Sequence, residues 1–426
     1  MKKKYRIILY TSIFLLCVVA SIILVVKKSN SVYEEESKPK VVKHKSMLSM
    51  NLEQTAGSGD YKTVTQSSWP TEGYKFNAEL SKCENGSTLS WDDTKKAVIV
   101  SGNLSDKCYV YFDIYQPTLA EYIKSQYTGT QGENNIYYHD SDLANGAGDN
   151  SYRYAGANPN NFVCFGTTES PCPTDNLYRI IGVFGENYHG VTGKQLVKLI
   201  KYDYMTTDEL GTDGDYSQTY KEWGMDSTYK GTYGDGERIG VYYWNYKATG
   251  SATNTWSTSL LNKTNLNTNF INNIGTTWAN KIATVTWKVG GNTWANIGTK
   301  TSSVAYTNEI TNPVTTNTTD NATTYSAKIG LMYVSDYGFA ASPDAWTLTM
   351  SSYNNTTATN NNWMYMGLYE WTISRRADDS YGAFLVNYGG YFYVDYYVGV
   401  RASFNLESSV SYVSGSGSMS DPIVIN

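Results

Sequence analysis

The sequence predicts an α+β protein in which a membrane-anchoring segment and a flexible stalk precede a small all-β module and a larger mixed domain. Three observations lead to this prediction. An uncharged apolar run occupies residues 7–26, short strands alternate with turn residues over residues 73–115, and strand patterns and a helical repeat both occur in residues 116–426. The chain has 17% charged and 14% aromatic residues, which suits a folded protein rather than a disordered one.

The apolar run at residues 7–26 follows the basic start MKKKYR, and a run of about 20 apolar residues is long enough to span a bilayer. A cleaved signal peptide usually has a shorter apolar region and a small-x-small cleavage site, so the run predicts a retained transmembrane signal anchor. Residues 29–70 are rich in Glu, Lys, Ser, Gln and Thr with little apolar periodicity. This composition predicts a flexible stalk.

The cysteines indicate on which side of the membrane the chain lies. Lysines flank the apolar run on both sides, so the positive-inside rule alone does not decide the orientation. Beyond Cys17, the cysteines fall into two local pairs, Cys83 with Cys108 and Cys164 with Cys172, as expected of disulfides in an oxidising exterior. We therefore expect a single-pass cell-membrane protein with the bulk of the chain extracellular. Free thiols in a cytosolic protein are the alternative.

The small β module at residues 73–115 follows from short apolar and β-branched runs bounded by turn-forming residues. The turns fall at the sequence ENG at 84–86 and WDD at 91–93. The predicted strands lie at residues 74–76, 88–91, 97–100 and 109–112. A Cys83–Cys108 bridge would close this module.

The main domain at residues 116–426 begins with a short helix at 118–124 that Thr118 caps. Loops rich in Gly, Asn and Pro then frame predicted strands at 161–165 and 177–184, and a further strand is expected at 195–201. Apolar residues that recur every four positions predict a helix with one side in the core. These residues are Leu266, Phe270, Ile274, Trp278 and Ile282.

Residues 371–406 predict a β-hairpin near the end of the chain. Alternating runs at 383–387 and 391–396 flank two glycines, which supply the positive φ angles of a tight turn. Because side chains alternate along a strand, Phe392 and Val394 should face a core while Tyr391, Tyr393 and Asp395 face outward.

The outward face of this hairpin is the predicted contact surface, since tyrosine rings with polar tips are frequent at binding hot spots. Tyrosine is also a good strand former, which is the purely structural interpretation. Arg376 has a structural alternative of its own, which is to pair with Asp378 or Asp379. The predicted ligand-binding residues are Arg375, Arg376, Tyr388, Tyr391, Tyr393, Asp395 and Tyr396.

Other kinds of site find little support in the sequence. A net charge of −5 without a long basic patch argues against nucleic-acid binding. His139 and His189 stand near no nucleophile pattern and are expected at the surface. The acidic residues at 140–149 depart from the EF-hand spacing, which favours a solvated loop over a calcium site. We therefore expect no cofactor, no metal and no enzymatic activity.

With these residues in view, the chain resembles a family of membrane-anchored or secreted surface proteins of Gram-positive gut bacteria. The matching pieces are LANGAGDNSYRYAGANPNNFVCFG at 143–166, CPTDNLYRIIGVF at 172–184, KIGLMYVSDYGFA at 328–340, WTISR at 371–375 and GVRASFNL at 399–406. The resemblance implies a C-type-lectin-like fold for the last domain. The family more often has Pro where this chain has Ala402.

The same broad fold is shared by formylglycine-generating enzymes and by retroelement-diversified variable proteins. The enzymes use a late pair of reactive cysteines, whereas no Cys follows Cys172 in this chain. The variable proteins display their ligand-contacting residues in the C-terminal hairpin region. The resemblance thus implies an extracellular ligand-binding or adhesion protein for a protein or glycan ligand. A structural cell-envelope protein without a specific ligand and an extracellular enzyme are the alternatives.

Overall fold

The computed structural model describes residues 48–65, 68–70, 73–103, 105–222, 229–250, 252–313, 323–354, 359–386 and 391–426. These residues form a mixed α+β structure, as the sequence predicts. Within them, no helix combines the length and apolarity needed to cross a bilayer. The predicted anchor at residues 7–26 lies outside the described residues. The chain divides into two compact units, Met1–Gln116 and Pro117–Asn426.

The described part of the first unit is a small β domain. Its strands are β1 (Leu48–Glu53), β2 (Tyr61–Val64), β3 (Tyr74–Phe76), β4 (Lys82–Cys83), β5 (Thr88–Asp92), β6 (Ala97–Ser101) and β7 (Cys108–Ile114). The sheet has the order β2-β1-β7-β3, β4 also pairs with β7, and β5 and β6 form a separate hairpin. The buried core of this domain consists of Met50, Leu52, Val110 and Phe112.

The expectation of a stalk over residues 29–70 is wrong for residues 48–64, because β1 and β2 belong to this sheet. Strand β1 runs parallel to β7 and places Met50 beside Val110. The carboxylate of Glu53 accepts a hydrogen bond from the Ile114 N–H at 2.9 Å. The parallel partner of β1, strand β7, lies about sixty residues away along the chain, and only β2 is a local partner. Such a long-range pairing leaves only a weak local signal in a short, mostly polar segment.

Both predicted disulfides are confirmed. Cys83 and Cys108 stand opposite each other on β4 and β7, with their Cα atoms 3.9 Å apart. Cys164 and Cys172 have Cα atoms 5.9 Å apart and close the loop that follows strand β10 (Phe162–Cys164). Each bridge lies within a single unit, as local pairing requires.

The second unit, Pro117–Asn426, is built around an antiparallel sheet of order β18-β23-β12-β11-β9-β8, in which β10 also pairs with β11. Smaller sheets have the orders β13-β14-β22 and β16-β19-β20-β21, and β15-β17 and β24-β25 are paired strands. The further strands are β8 (Ile136–His139), β9 (Ser151–Tyr154), β11 (Leu177–Phe184), β12 (Leu196–Lys201), β13 (Tyr216–Thr219), β14 (Gly240–Tyr243), β15 (Val285–Lys288), β16 (Gly291–Asn292), β17 (Thr324–Ala327), β18 (Ile329–Gly330), β19 (Glu370–Arg376), β20 (Gly382–Val386), β21 (Tyr391–Tyr393), β22 (Tyr397–Val398), β23 (Ser403–Asn405), β24 (Tyr412–Ser414) and β25 (Val424–Ile425).

Short helices pack around these sheets. The α-helices are α1 (Leu119–Ser125), α2 (Glu186–His189), α3 (Thr207–Leu210), α4 (Ile271–Ala279), α5 (Trp294–Thr299), α6 (Ser302–Tyr306) and α7 (Val334–Ala340). The 3-10 helices are Glu133–Asn135, Thr174–Asn176, Tyr220–Glu222, Trp256–Thr258, Pro343–Thr347 and Met350–Asn354. The π-helices are Leu261–Phe270 and Thr307–Thr311.

Several predicted elements of this unit are confirmed. Thr118 caps α1 in a reciprocal arrangement with Glu121. The predicted apolar repeat lies on the π-helix Leu261–Phe270 and on α4 as far as Trp278, where Leu266, Phe270 and Trp278 are buried, whereas Ile282 follows the end of α4. The helical path is interrupted at Gly275, whose φ of 75° is left-handed.

The surface position expected for the two histidines is wrong, because both imidazoles are buried. His139 accepts a hydrogen bond from the Ala147 N–H at its Nδ1 and packs edge-on against the ring of Phe339. His189 accepts from the Val191 N–H in the same manner. Burial lowers the pKa of each histidine and favours the neutral ring, which makes an interior position possible.

Candidate ligand-binding surface

A group of tyrosines gathers at one surface of the second unit, which we call the tyrosine face and define by Tyr243, Tyr246, Tyr381, Tyr396 and Tyr397. Among the tyrosines whose side chains the structure describes, the exposed ones are Tyr246, Tyr381 and Tyr396, with exposures of 45%, 43% and 42%. The other tyrosines whose side chains are described are buried or half-buried. The exposed tyrosines are therefore concentrated rather than scattered.

Ring contacts connect four members of the tyrosine face. The ring centroid of Tyr243 lies 4.5 Å from that of Tyr246 and 5.3 Å from that of Tyr397. The rings of Tyr396 and Tyr397 are stacked at 5.5 Å. These separations fall in the range at which aromatic pairs attract each other. The rings therefore support one another as a surface instead of moving independently.

Backbone hydrogen bonds bring three distant chain segments to this surface. The Asn245 N–H donates to the Val394 carbonyl at 3.0 Å, and the Val394 N–H donates to the Tyr381 carbonyl at 2.8 Å. Strands β14 and β22 pair in a register that sets Tyr243 opposite Tyr397. The buried Val394 is thus the point around which the segments that carry Tyr246, Tyr381 and Tyr396 meet.

Asp215 holds the segment that carries Tyr243 and Tyr246. Its backbone carbonyl accepts from the Tyr243 N–H at 2.8 Å. Its buried carboxylate accepts from the Tyr246 N–H at 3.2 Å and from the Leu261 N–H at 2.8 Å. Burial raises the pKa of Asp215, and these backbone donors oppose the shift. One side chain therefore ties the surface segment to the start of a π-helix.

Asn254 holds the turn that carries Tyr381. The side-chain nitrogen of Asn254 contacts the carbonyls of Arg376 at 2.9 Å, Asp379 at 2.8 Å and Gly382 at 2.8 Å. Its backbone N–H donates to the Ser380 carbonyl at 2.8 Å. Four backbone groups of one turn thus converge on a single buried asparagine. This places Tyr381 on a fixed support rather than on a free loop.

The two predicted arginines do not form part of this surface. Arg375 is 2% exposed and Arg376 is 9% exposed, because every residue of β19 is buried. Arg376 donates to Asp378 at 3.1 Å and lies 3.7 Å from Asp379, which is the pairing that the sequence offered as its structural alternative. Partial burial opposes ionisation of Asp378, but hydrogen bonds from Arg376 and the Trp294 N–H outweigh it and lower the pKa of Asp378.

The predicted hairpin is present, with β20 and β21 paired so that Phe384 is opposite Tyr391 and Gly382 is opposite Tyr393. Tyr388 lies outside the described residues, as do the side-chain positions of Tyr391 and Tyr393. Asp395 and Tyr396 are exposed and Val394 is buried. Of the predicted ligand-binding residues, Tyr396 therefore belongs to the tyrosine face, and the exposed Asp395 precedes it in the chain.

Sequence reasoning missed Tyr243, Tyr246 and Tyr381. Tyr381 precedes β20 by one residue, and Tyr243 and Tyr246 occur in the run VYYWNY at 241–246. Strand alternation would set Tyr242, Trp244 and Tyr246 on one face, yet Tyr242 and Trp244 are buried and Tyr246 is exposed, so alternation did not single out Tyr246. Nothing local joins this run to the hairpin 150 residues later.

A scan against protein-family models, a search of curated proteins and a search of solved structures find no match to this chain. The geometry of the tyrosine face therefore carries the functional argument.

Proposed function

We propose that this chain is an extracellular ligand-binding or adhesion protein and that the tyrosine face is its contact surface. The observation that carries the proposal is the gathering of the exposed tyrosines, Tyr246, Tyr381 and Tyr396, from three separate segments. Large rings with a polar tip give contact area at a low cost in conformational entropy. Asp395 adds an exposed carboxylate next to Tyr396 in the chain, which suits a ligand with both apolar and hydrogen-bonding faces.

The support beneath the tyrosine face favours binding over a merely solvated surface. Association is weakened by the entropy lost when side chains and loops become ordered at an interface. Asp215 and Asn254 already fix the two segments that carry Tyr246 and Tyr381 in the free protein. A ligand that covers this surface would therefore order little of the backbone.

The proposed fold and the proposed membrane anchoring of this chain are inferred from its sequence. We propose a C-type-lectin-like arrangement for residues 116–426 and a single-pass anchor at residues 7–26 that holds the second unit outside the cell. The two disulfides agree with an oxidising exterior. A protein or glycan ligand on another cell is the proposed partner, and no cofactor is part of the proposal.

The proposal is tested with the full-length chain in lipid nanodiscs, probed against an immobilised glycan panel and cultured mammalian epithelial cells. We expect Tyr246→Ala and Tyr396→Ala each to weaken the strongest binding by about 1–2 kcal/mol, or roughly 5–30-fold in Kd, as hot-spot residues do. The same variants should lower the thermal unfolding midpoint only slightly, by the loss of one ring contact each, because both side chains are exposed.

Two control variants make the result interpretable. Val413→Ala changes an equally exposed apolar side chain on β24 and should leave binding unchanged. Phe384→Ala empties a buried site on β20 and should lower stability by about 3–5 kcal/mol. A wild-type chain that binds neither the glycans nor the cells would contradict the proposal and favour a structural envelope protein.

A further inference from the structure

A small cavity is lined by Asn254, the residue that holds the turn that carries Tyr381. It has a volume of about 10 Å³ and is lined by residues that include Asn254, Trp256, Val289, Tyr325 and Arg375. The exposed residue Thr324 also lines it. A space of roughly 10–15 Å³ accommodates one water-sized group. We call it the Trp256 cavity.

Two of the residues that line this cavity each carry a buried polar atom for which the described residues supply no hydrogen-bond partner. These atoms are Nε1 of Trp256 and Oδ1 of Asn254, on side chains that are 2% and 1% exposed. A buried polar group without a partner costs about 1–3 kcal/mol. The other described indoles that are fully buried in this unit are satisfied; Trp244, for example, donates to the Thr372 carbonyl at 2.9 Å.

The orientation of the Asn254 amide determines which of its atoms is left without a partner. Its nitrogen contacts three carbonyl oxygens, at Arg376, Asp379 and Gly382. An inverted amide would set its oxygen against those three acceptors, so the hydrogen-bond network assigns the orientation. Oδ1 therefore needs a donor, whereas the indole N–H of Trp256 can only donate.

The occupant must accept from Trp256 and donate to Asn254 within the space of one small group. A hydroxyl does both. A carboxylate or phosphate oxygen would meet Oδ1 as a second acceptor, and a cation would meet the indole N–H and the guanidinium of Arg375. We propose that the Trp256 cavity binds a single hydroxyl group, which comes either from water or from a small alcohol or polyol.

The proposal does not depend on the tyrosine face, and its test reads out Trp256 alone. The full-length chain carries ¹⁵N-labelled tryptophan, and Trp256→Phe assigns the Trp256 indole signal. We expect a cross peak between the Trp256 indole N–H and long-lived water, and none for the Trp244 indole, which lies 4.8 Å away ring to ring and already has a carbonyl partner.

Titration with methanol and with glycerol then separates the two sources of the hydroxyl. A saturable shift of the Trp256 signal, with loss of its water cross peak and a constant Trp244 signal, identifies an alcohol hydroxyl as the preferred occupant. A water cross peak that persists through both titrations identifies water. Absence of a water cross peak together with no response to either alcohol overturns the proposal, as does a stronger response to sodium formate than to methanol.

A second variant keeps the test decisive if Trp256→Phe fails to fold. Val289→Ile adds one methyl group to the cavity wall and leaves both polar atoms in place. We expect it to abolish the water cross peak of Trp256 and the response to methanol while the Trp244 signal is unchanged. A retained water cross peak in a folded Val289→Ile chain would show that the hydroxyl binds elsewhere.

Discussion

At the scale of single residues, the abundance of tyrosine serves two opposite purposes. Tyr204 is fully buried, and its hydroxyl both donates to the Leu368 carbonyl at 2.9 Å and accepts from the Leu368 N–H at 3.0 Å. Tyr246 exposes nearly half of its side chain at the tyrosine face. Residue type alone does not separate these cases, because a tyrosine hydroxyl is satisfied equally well by water and by a backbone group.

Removal of the hydroxyl should therefore have very different effects at the two positions. Tyr204→Phe leaves both backbone groups of Leu368 without this buried partner, which should destabilise the second unit by about 1–3 kcal/mol. Tyr246→Phe should change stability by less than about 0.5 kcal/mol, as exposed substitutions do. Urea unfolding monitored by tryptophan fluorescence measures the stability of both variants. Equal losses of stability would contradict the conclusion that Tyr204 is buried and Tyr246 is exposed.

The buried Glu309 predicts a pH dependence of stability. Its carboxylate accepts from the backbone N–H groups of Val334 at 3.1 Å and Ser335 at 3.0 Å. Burial raises the pKa of Glu309 from 4.5 to about 7, against the opposing hydrogen bonds from Ser335 and Ser374. Because the folded pKa is the higher one, the stabilisation is fully present below pH 4.5 and is lost as the pH rises through 7.

A comparison with Glu309→Gln isolates this effect from other titrating groups. Between pH 4.5 and pH 7.5 the wild type should lose on the order of 3 kcal/mol of unfolding free energy relative to the variant, since one pKa unit corresponds to about 1.4 kcal/mol. Urea titrations at several pH values measure the difference. Parallel stability profiles for the two proteins would show that Glu309 titrates normally.

At the scale of elements, sequence patterns located several of the strands that neighbour their partners along the chain, but not the local pairs β1 with β2, β8 with β9, β13 with β14 and β24 with β25. The hairpin of β5 and β6, the adjacent strands β11 and β12, and the hairpin of β20 and β21 all fall where alternation and turn residues predict them. Strands β1 and β2 were missed because both are short and rich in polar residues and because the parallel partner β7 of β1 is distant in sequence. Arg375 was misplaced because the strand that carries it is buried on both faces.

The two disulfides allow a prediction about the stability of the units. The Cys83–Cys108 bridge closes a longer segment than the Cys164–Cys172 bridge, with sequence separations of 25 and 8. In the chain-entropy model these loops correspond to roughly 3.5 and 2.5 kcal/mol of stabilisation. Paired Cys→Ser variants measured by calorimetry should follow that order. A larger loss of stability on removal of the Cys164–Cys172 bridge than on removal of the Cys83–Cys108 bridge would contradict this prediction.

At the scale of the whole molecule, the structure exposes only part of the contact surface that the sequence predicts. Of the predicted residues, Tyr396 belongs to the tyrosine face, while its other members come from segments that tertiary folding brings together. No local sequence pattern predicts that these segments are neighbours in the fold. The sequence could predict that a tyrosine-bearing surface exists, and the backbone bonds around Val394 determine which tyrosines form it.

The predicted anchor leads to a test on intact cells. If residues 7–26 are retained in the membrane, the chain should stay in the membrane fraction after a high-salt wash. Protease added to intact cells should then remove the mass beyond about residue 30, because the bulk of the chain is outside. Release of a shortened soluble form would indicate a cleaved signal peptide, and full protection of the chain would reverse the orientation.

The central claim is that the tyrosine face contacts the ligand, and hydroxyl-radical footprinting of the full-length chain tests it most directly. The chain is labelled free and bound to the strongest glycan or cell probe, with Met419 as an internal reference because its side chain is 43% exposed. We predict that Tyr246, Tyr381 and Tyr396 lose most of their labelling on binding while Met419 keeps its own. Unchanged labelling of all three tyrosines in a bound sample would contradict the account.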